Sequence, residues 1–364
     1  MSEPSRGGRP KETDTEPPRG GRPKETETEP PRGGRPKETK IELASWDSLI
    51  VLLTVAVLVI ASLAVPSFGT SRNFTFLVLD LMPIALVALT MTLIVVTGEI
   101  DLSVASTLGL TSSLMGWLWN NGLPIETIVP LCLVAGAILG ACNGFLVTGL
   151  GLPSLAVTIG TLALYRGLAF VVLGDGAVAD FPWNYTGWVT GTIGGGAVPN
   201  VLVVIVALAL VSGVVLHATP FGRSLYAIGA NAQAAHFSGI PVARTKFWLY
   251  VASGTIAGLA GVLWTLRYSS ARADNGAGLE LAVVAAVLLG GVSIFGGKGT
   301  LPGVLAGVVL LAALQNALRL QDVSGQALNV VTGALLVLSV LLPNLASSIR
   351  TTWHRRKLRQ AAAH

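Results

Sequence analysis

From about Ser48 to about Pro343 the chain is one apolar run after another, broken only by short polar or glycine-containing turns. A helix crosses a hydrocarbon core of about 30 Å with about 20 apolar residues. Ten stretches meet or approach that length: about 48–65, 76–97, 102–119, 125–148, 152–173, 198–217, 247–266, 279–292, 301–318 and 327–343. The eighth is short and reads as re-entrant or broken. Only 12% of residues are charged, against about a quarter in a soluble domain. The expected fold is all-α: a polytopic membrane protein with about ten transmembrane helices.

Three blocks divide the chain: residues 1–46, a membrane domain over 47–345, and a basic tail over 346–364. Residues 3–40 repeat a 13-residue unit, beginning EPSRGGRPKETDT and then EPPRGGRPKETET, with no apolar residue to build a core. Such a segment is expected to be disordered. It holds 10 of the 24 Lys and Arg residues and nearly as many acids. Its charge therefore almost cancels, which argues against a nucleic-acid partner, and no secretory cleavage pattern is present. An even number of spans puts both ends of the membrane domain in one compartment. Basic residues cluster on the side of Arg223, Arg244, Lys246, Lys298 and the Arg355-Arg356-Lys357 tail, so that compartment is expected to be the cytoplasm. Lipid is the remaining environment.

Cys132 and Cys142 are ten residues apart, about 15 Å along a helix, too far for a disulfide with each other. No His, Cys, Asp or Glu spacing suggests a metal site, and no cofactor or catalytic residue is expected. Gly136-Gly140-Gly144, Gly254-Gly258 and Gly303-Gly307 are small-residue ladders at helical spacing. They predict seams of close helix packing.

The polar interval Thr219–Lys246, TPFGRSLYAIGANAQAAHFSGIPVARTK, separates two of the spans. Its length, charge and small residues suit a docking surface presenting a helical centre to a groove. Gln233-Ala234-Ala235 followed by Gly239-Ile240 resembles the Glu-Ala-Ala…Gly loop of permeases from ATP-binding-cassette importers, with glutamine in place of the glutamate. Together with Gly222-Arg223, Gly229 and Asn231 it resembles the simple-sugar branch, the permeases of ribose, xylose and arabinose importers. The resemblance covers about Val95 to Pro343. It implies an inner-membrane subunit with both termini cytoplasmic, translocating a monosaccharide (pentose, hexose or deoxyhexose). Implied partners are an ATP-binding subunit, an extracytoplasmic sugar-binding protein and a second permease subunit, as a homo- or heterodimer. Gly222, Arg223, Gly229, Asn231, Ala234, Ala235 and Gly239 are the coupling-loop residues it marks.

The chain carries no GxxxxGK[ST] phosphate loop; in GGVSIFGGKGT, Gly299 follows Lys298 where Ser or Thr is required. Energy must come from a separate ATPase or, as the alternative reading, from an ion gradient acting on a secondary carrier for a small polar solute. A carrier needs ionisable groups at membrane depth, and the candidates are few: Asp80, Glu99, Asp101 and Arg166. TGEIDLSVAS resembles the branch's Thr-Gly-Gly-Ile-Asp-Leu-Ser-Val-Gly-Ser, with Glu99 and Ala105 replacing glycines. Asp101 there reads either as a helix N-cap or as part of a substrate path. Arg166 must face the bundle interior or water, in a pathway role or a buried structural one. Asn143 likewise either joins helices or meets cargo, so the candidate pathway set is Glu99, Asp101, Asn143 and Arg166. The aromatic stretch Gly174–Pro199, with Trp183, Tyr185 and Trp188, reads as an interfacial belt or as a landing site for the binding protein.

Overall fold

The computed structural model describes residues 46–339 and 341; the N-terminal repeats and the basic tail from residue 346 lie outside the described residues. The helices are α1 (Trp46–Ala64), α2 (Ser71–Val96), α3 (Val104–Asn120), α4 (Ile125–Thr148) and α5 (Ser154–Leu173). After a short strand β1 (Ala177–Ala179) come α6 (Trp183–Thr190), α7 (Val201–Ala218), α8 (Pro220–Ala230), α9 (Ala232–Phe237) and α10 (Val242–Tyr268). Strand β2 (Ser270–Arg272), α11 (Leu279–Leu289), α12 (Leu301–Arg319) and α13 (Gly325–Ser339) follow. A helix stands at each of the ten stretches where a span was expected. Seven of them, α1, α2, α4, α5, α7, α10 and α12, are long and apolar enough to cross a membrane alone. The chain is a polytopic all-α membrane protein.

α2 is the axis of the bundle, and its sequence explains why. It is apolar on every face, as a helix surrounded by other helices must be, and 89% of its most apolar window is buried. α10, α11, α12 and α7 pack around it. α1 and α7 bury only 17% of their windows and turn the rest outward, where lipid tails are as compatible with Leu and Val as a protein core is.

The glycine ladders are the contact surfaces they were expected to be. Gly136 and Gly140 of α4 face Tyr250 and Gly254 of α10 so closely that the backbones touch. A Cβ on Gly140 would lie 2.2 Å from the Tyr250 carbonyl oxygen, and one on Gly254 would lie 2.1 Å from that of Gly136. Gly303 and Gly307 of α12 meet α11 in the same way, at 2.3 Å from the Gly290 oxygen and 2.4 Å from that of Ala286.

The short α11 has a structural cause. Residues 269–278, expected to form an outer loop, instead lie against α3. Ala271 and Ala273 are buried while Arg272 and Asp274 are exposed; residues 270–272 are a strand and residues 273–278 a series of turns. Ala271 packs on Gly116, the Asn275 amide donates to the Ser112 hydroxyl at 2.8 Å, and Gly276 approaches Leu108. Residues 270–272 also pair antiparallel with β1. The eighth apolar stretch is therefore preceded by a limb of strand and turns, and it supplies only the eleven helical residues of α11. At the same end of the bundle, Asp80 of α2 accepts from Arg267 of α10 and from Arg319 of α12, the latter at 3.1 Å. That end is tied by charge; the opposite end carries α8 and α9.

Candidate coupling surface and interior polar network

Residues 219–241 fold as two helices, each capped at its N-terminus by a side chain, and α10 begins at Val242. Thr219 caps α8, its hydroxyl accepting from the Gly222 amide at 3.1 Å, with Pro220 in the first turn, where a missing N–H costs nothing. Leu225 and Ile228 are the buried face of α8. Asn231 ends α8 and caps α9, accepting from the Ala234 amide at 2.9 Å. α9 closes on Gly239, whose φ of +86° is left-handed. The Ile240 amide donates to the Ala235 carbonyl at 3.1 Å and the Gly239 amide to that of His236 at 3.0 Å, the paired bonds of a Schellman terminus. Ala235 is buried beneath α9, while Gln233, Ala234 and His236 are exposed and Phe237 is 79% exposed. A hydrophobic ring is held at the surface by a helix only six residues long.

α8 rests on the end of α2. A Cβ on Gly229 would lie 1.9 Å from the Val96 carbonyl oxygen and 2.4 Å from the Gly297 nitrogen. Gly222 is equally confined, 2.0 Å from the Leu216 oxygen. Arg223 is exposed and points away from both contacts. Of the seven island residues singled out in the sequence, Gly222, Gly229, Asn231, Ala235 and Gly239 build the frame. Arg223 and Ala234 belong to its exposed surface.

Beside α9 lies an open cavity of about 590 Å³, bordered by Glu99, Thr148, Ser154, Gln233, His236 and Lys246. Within it Lys246, in the first turn of α10, forms an ion pair with Glu99, and their side chains are only 14% and 17% exposed. Glu99 belongs to the irregular segment 97–103 between α2 and α3, so one contact joins the end of the island to that break.

Deeper in the same break, Asp101 is 1% exposed and faces no cation among the described residues. It is held by donors instead. One carboxylate oxygen accepts from the Ser103 amide at 3.1 Å and the Ser103 hydroxyl at 2.6 Å; the other accepts from the Ser253 hydroxyl of α10 at 2.9 Å. Asp101 thus closes a turn just ahead of α3, whose N-cap is Ser103. Asn143 of α4 donates to the Ser103 hydroxyl at 2.7 Å, and the Tyr165 hydroxyl of α5 donates to the Asn143 amide oxygen at 3.2 Å. Four elements, α3, α4, α5 and α10, meet through this chain of bonds. Such a network specifies one arrangement of the helices because each member is costly to leave unpaired.

Arg166 of α5 stands apart from that network, and its partners are carbonyls. It donates to Ala273 O at 2.6 Å and Asn275 O at 2.8 Å in the turns after β2, and to Ala105 O at 3.1 Å in α3. Irregular backbone inside an apolar bundle must find donors, and the guanidinium, with five N–H groups, supplies them. Gly109 leaves the space: a Cβ there would lie 2.3 Å from the guanidinium. Of the four candidate pathway residues, Glu99 borders the open cavity beside α9. Asp101 and Asn143 share one internal network, and Arg166 braces the limb. Their partners Ser253, Tyr165 and Lys246 carried no local signal, since they come from segments 22 to 152 residues away.

Residues 73–340 match the family described as branched-chain amino acid transport system / permease component. The chain belongs to this permease family. The permease is 34% identical over 300 residues to the autoinducer 2 import system permease protein LsrD of Yersinia enterocolitica, covering 79% of this chain and 90% of the relative. It is 32% identical over 325 residues to the protein of the same name from Yersinia pseudotuberculosis, covering 85% and 97%. No solved structure matches. The permease is thus the membrane component of an ATP-binding-cassette importer of the simple-sugar branch, and the ion-coupled carrier reading is set aside.

Proposed function

We propose that α8 and α9 face the cytoplasm and seat the ATP-binding subunit, and that the permease pairs with a second permease subunit around the translocation path. Cargo arrives from an extracytoplasmic binding protein at the end bearing α6, β1 and β2. It is a monosaccharide or, by extension from the names of the relatives, autoinducer 2. The concentration of Arg223, Arg244, Lys246 and Lys298 at the island end supports the orientation. At the other end Trp183, 78% exposed on α6, suits the binding-protein landing site or a place in the lipid interface.

The exposed face of α9 carries this reading. A helix too short to be stable alone is capped at both ends and held against α8 and α10. An adjoining ion pair, Lys246 with Glu99, and the Asp101 bonds beyond it connect that frame to four helices of the bundle. Closure of an ATPase against α9 therefore moves a stiff element.

Gly239 tests this. A Cβ there meets nothing within 4 Å, so the cost of Gly239→Val comes from the left-handed backbone alone, about 1–2 kcal/mol. The expected result is misplacement of Ile240-Pro241, loss of uptake and weaker co-purification of the ATP-binding subunit, with membrane insertion and binding-protein recognition retained. Undiminished co-purification together with substrate-stimulated ATP hydrolysis would remove the island from the coupling route.

A further inference from the structure

The turn between α11 and α12, residues 290–300, holds a second aromatic ring at the surface. Phe295 is 79% exposed at its tip, with Lys298 exposed beside it. The turn itself is fixed from several directions. The Ser293 amide donates to Lys298 O at 3.0 Å, the Gly297 amide to Val96 O at 2.8 Å, and the Tyr226 hydroxyl of α8 to Gly299 O at 2.7 Å. Gly296 and Gly297 are left-handed, with φ of +81° and +72°. A Cβ on Gly296 would lie 2.8 Å from the Gly98 nitrogen and 3.0 Å from the Gly229 Cα. Phe295 cannot fold back by a movement of its backbone.

Its position decides what covers it. Gly297 packs on Ala230, a Cβ on it lying 3.0 Å from the Ala230 nitrogen; the next residue, Asn231, caps α9. The turn and α9 are thus parts of one rigid frame at one end of the bundle, each presenting a phenylalanine ring that is 79% exposed. We propose that the 290–300 turn is a second contact for the ATP-binding subunit, with Phe295 entering an apolar recess whose rim bears carboxylates for Lys298. This rests on the reading of α9 as the docking helix. It adds a second route inward, because the turn is bonded to the carbonyl end of α2 and touches Gly98, next to the Glu99 that pairs with Lys246.

A photoreactive phenylalanine analogue placed at position 295, 237 or 183 of the full-length permease, co-expressed with its ATP-binding subunit, tests the proposal. Positions 295 and 237 are expected to give adducts with that subunit, and position 183, at the other end, none. Phe295→Ala is expected to reduce the co-purified ATP-binding subunit about tenfold, as loss of an anchoring ring does, and Phe295→Trp to retain it. An adduct at 237 with the ATPase while 295 captures a second permease copy, lipid or nothing overturns the second contact and leaves α9 docking intact. An adduct at 295 without one at 237 keeps the turn and removes α9. No adduct at either position overturns both.

Discussion

Replacing Gly254 with valine is expected to leave almost no folded permease in the membrane. The atoms that a Cβ at this position would strike are backbone: the Gly136 oxygen at 2.1 Å, the Gly140 nitrogen at 2.8 Å and the Gly140 Cα at 2.9 Å. None can rotate aside, so α4 and α10 must separate along their seam. Overpacking that side chains can absorb costs about 1–3 kcal/mol, and this exceeds it. Separation also draws Ser253 away from Asp101, which then keeps a buried carboxylate with one donor fewer. Gly254→Ala should show a smaller loss in the same direction. Gly213→Ala in α7 is the control, since its Cβ would sit at an ordinary 3.5 Å from the Leu301 side chain. Monodispersity and thermal stability in detergent, followed by uptake, order the three variants. A Gly254→Val protein as stable as Gly213→Ala would show that the seam is not a close backbone contact.

The second large effect is expected at Arg166. Arg166→Leu removes the donors to Ala273 O and Asn275 O, neither of which has another donor among the described hydrogen bonds. A buried polar group left without its partner costs about 1–3 kcal/mol, so the pair amounts to about 2–6 kcal/mol. Arg166→Lys should fall between, because one ammonium cannot reproduce the fork. The limb 270–278 is expected to loosen, exposing its amides to hydrogen exchange, and uptake to fall with stability. Arg72→Leu is expected to change neither, since Arg72 is exposed at the start of α2. Wild-type stability and uptake in Arg166→Leu would contradict the bracing role.

These two sites show how far the sequence could be read. The glycines of α4, α10 and α12 recur every four residues within apolar runs, a local pattern that needs no partner to be recognised, and their seams are where that pattern placed them. The termini of the island were legible in part, because Thr219-Pro220, Asn231 and Gly239 are residue types with fixed capping chemistry. The limb was not legible. Ser269, Ser270, Arg272, Asp274 and Asn275 make it look like a solvated loop, and only the alternation of Ala271 and Ala273 hints at an extended segment with one buried face. Arg166 was for the same reason recognisable as an expensive side chain but not as a brace: its acceptors are backbone carbonyls about 110 residues away, which have no signature in sequence. Glu99 and Lys246 are 147 residues apart, and each alone reads as an ordinary end-of-helix charge.

The most direct test of the account as a whole is uptake by the purified permease in vesicles with its ATP-binding subunit, a second permease subunit and the binding protein. Labelled sugar and labelled autoinducer 2 would each be supplied with the binding protein. Uptake of one cargo is predicted to require ATP on the side that bears Phe237 and to be indifferent to collapse of proton and sodium gradients. Uptake driven by an ion gradient with the ATP-binding subunit omitted would contradict the account.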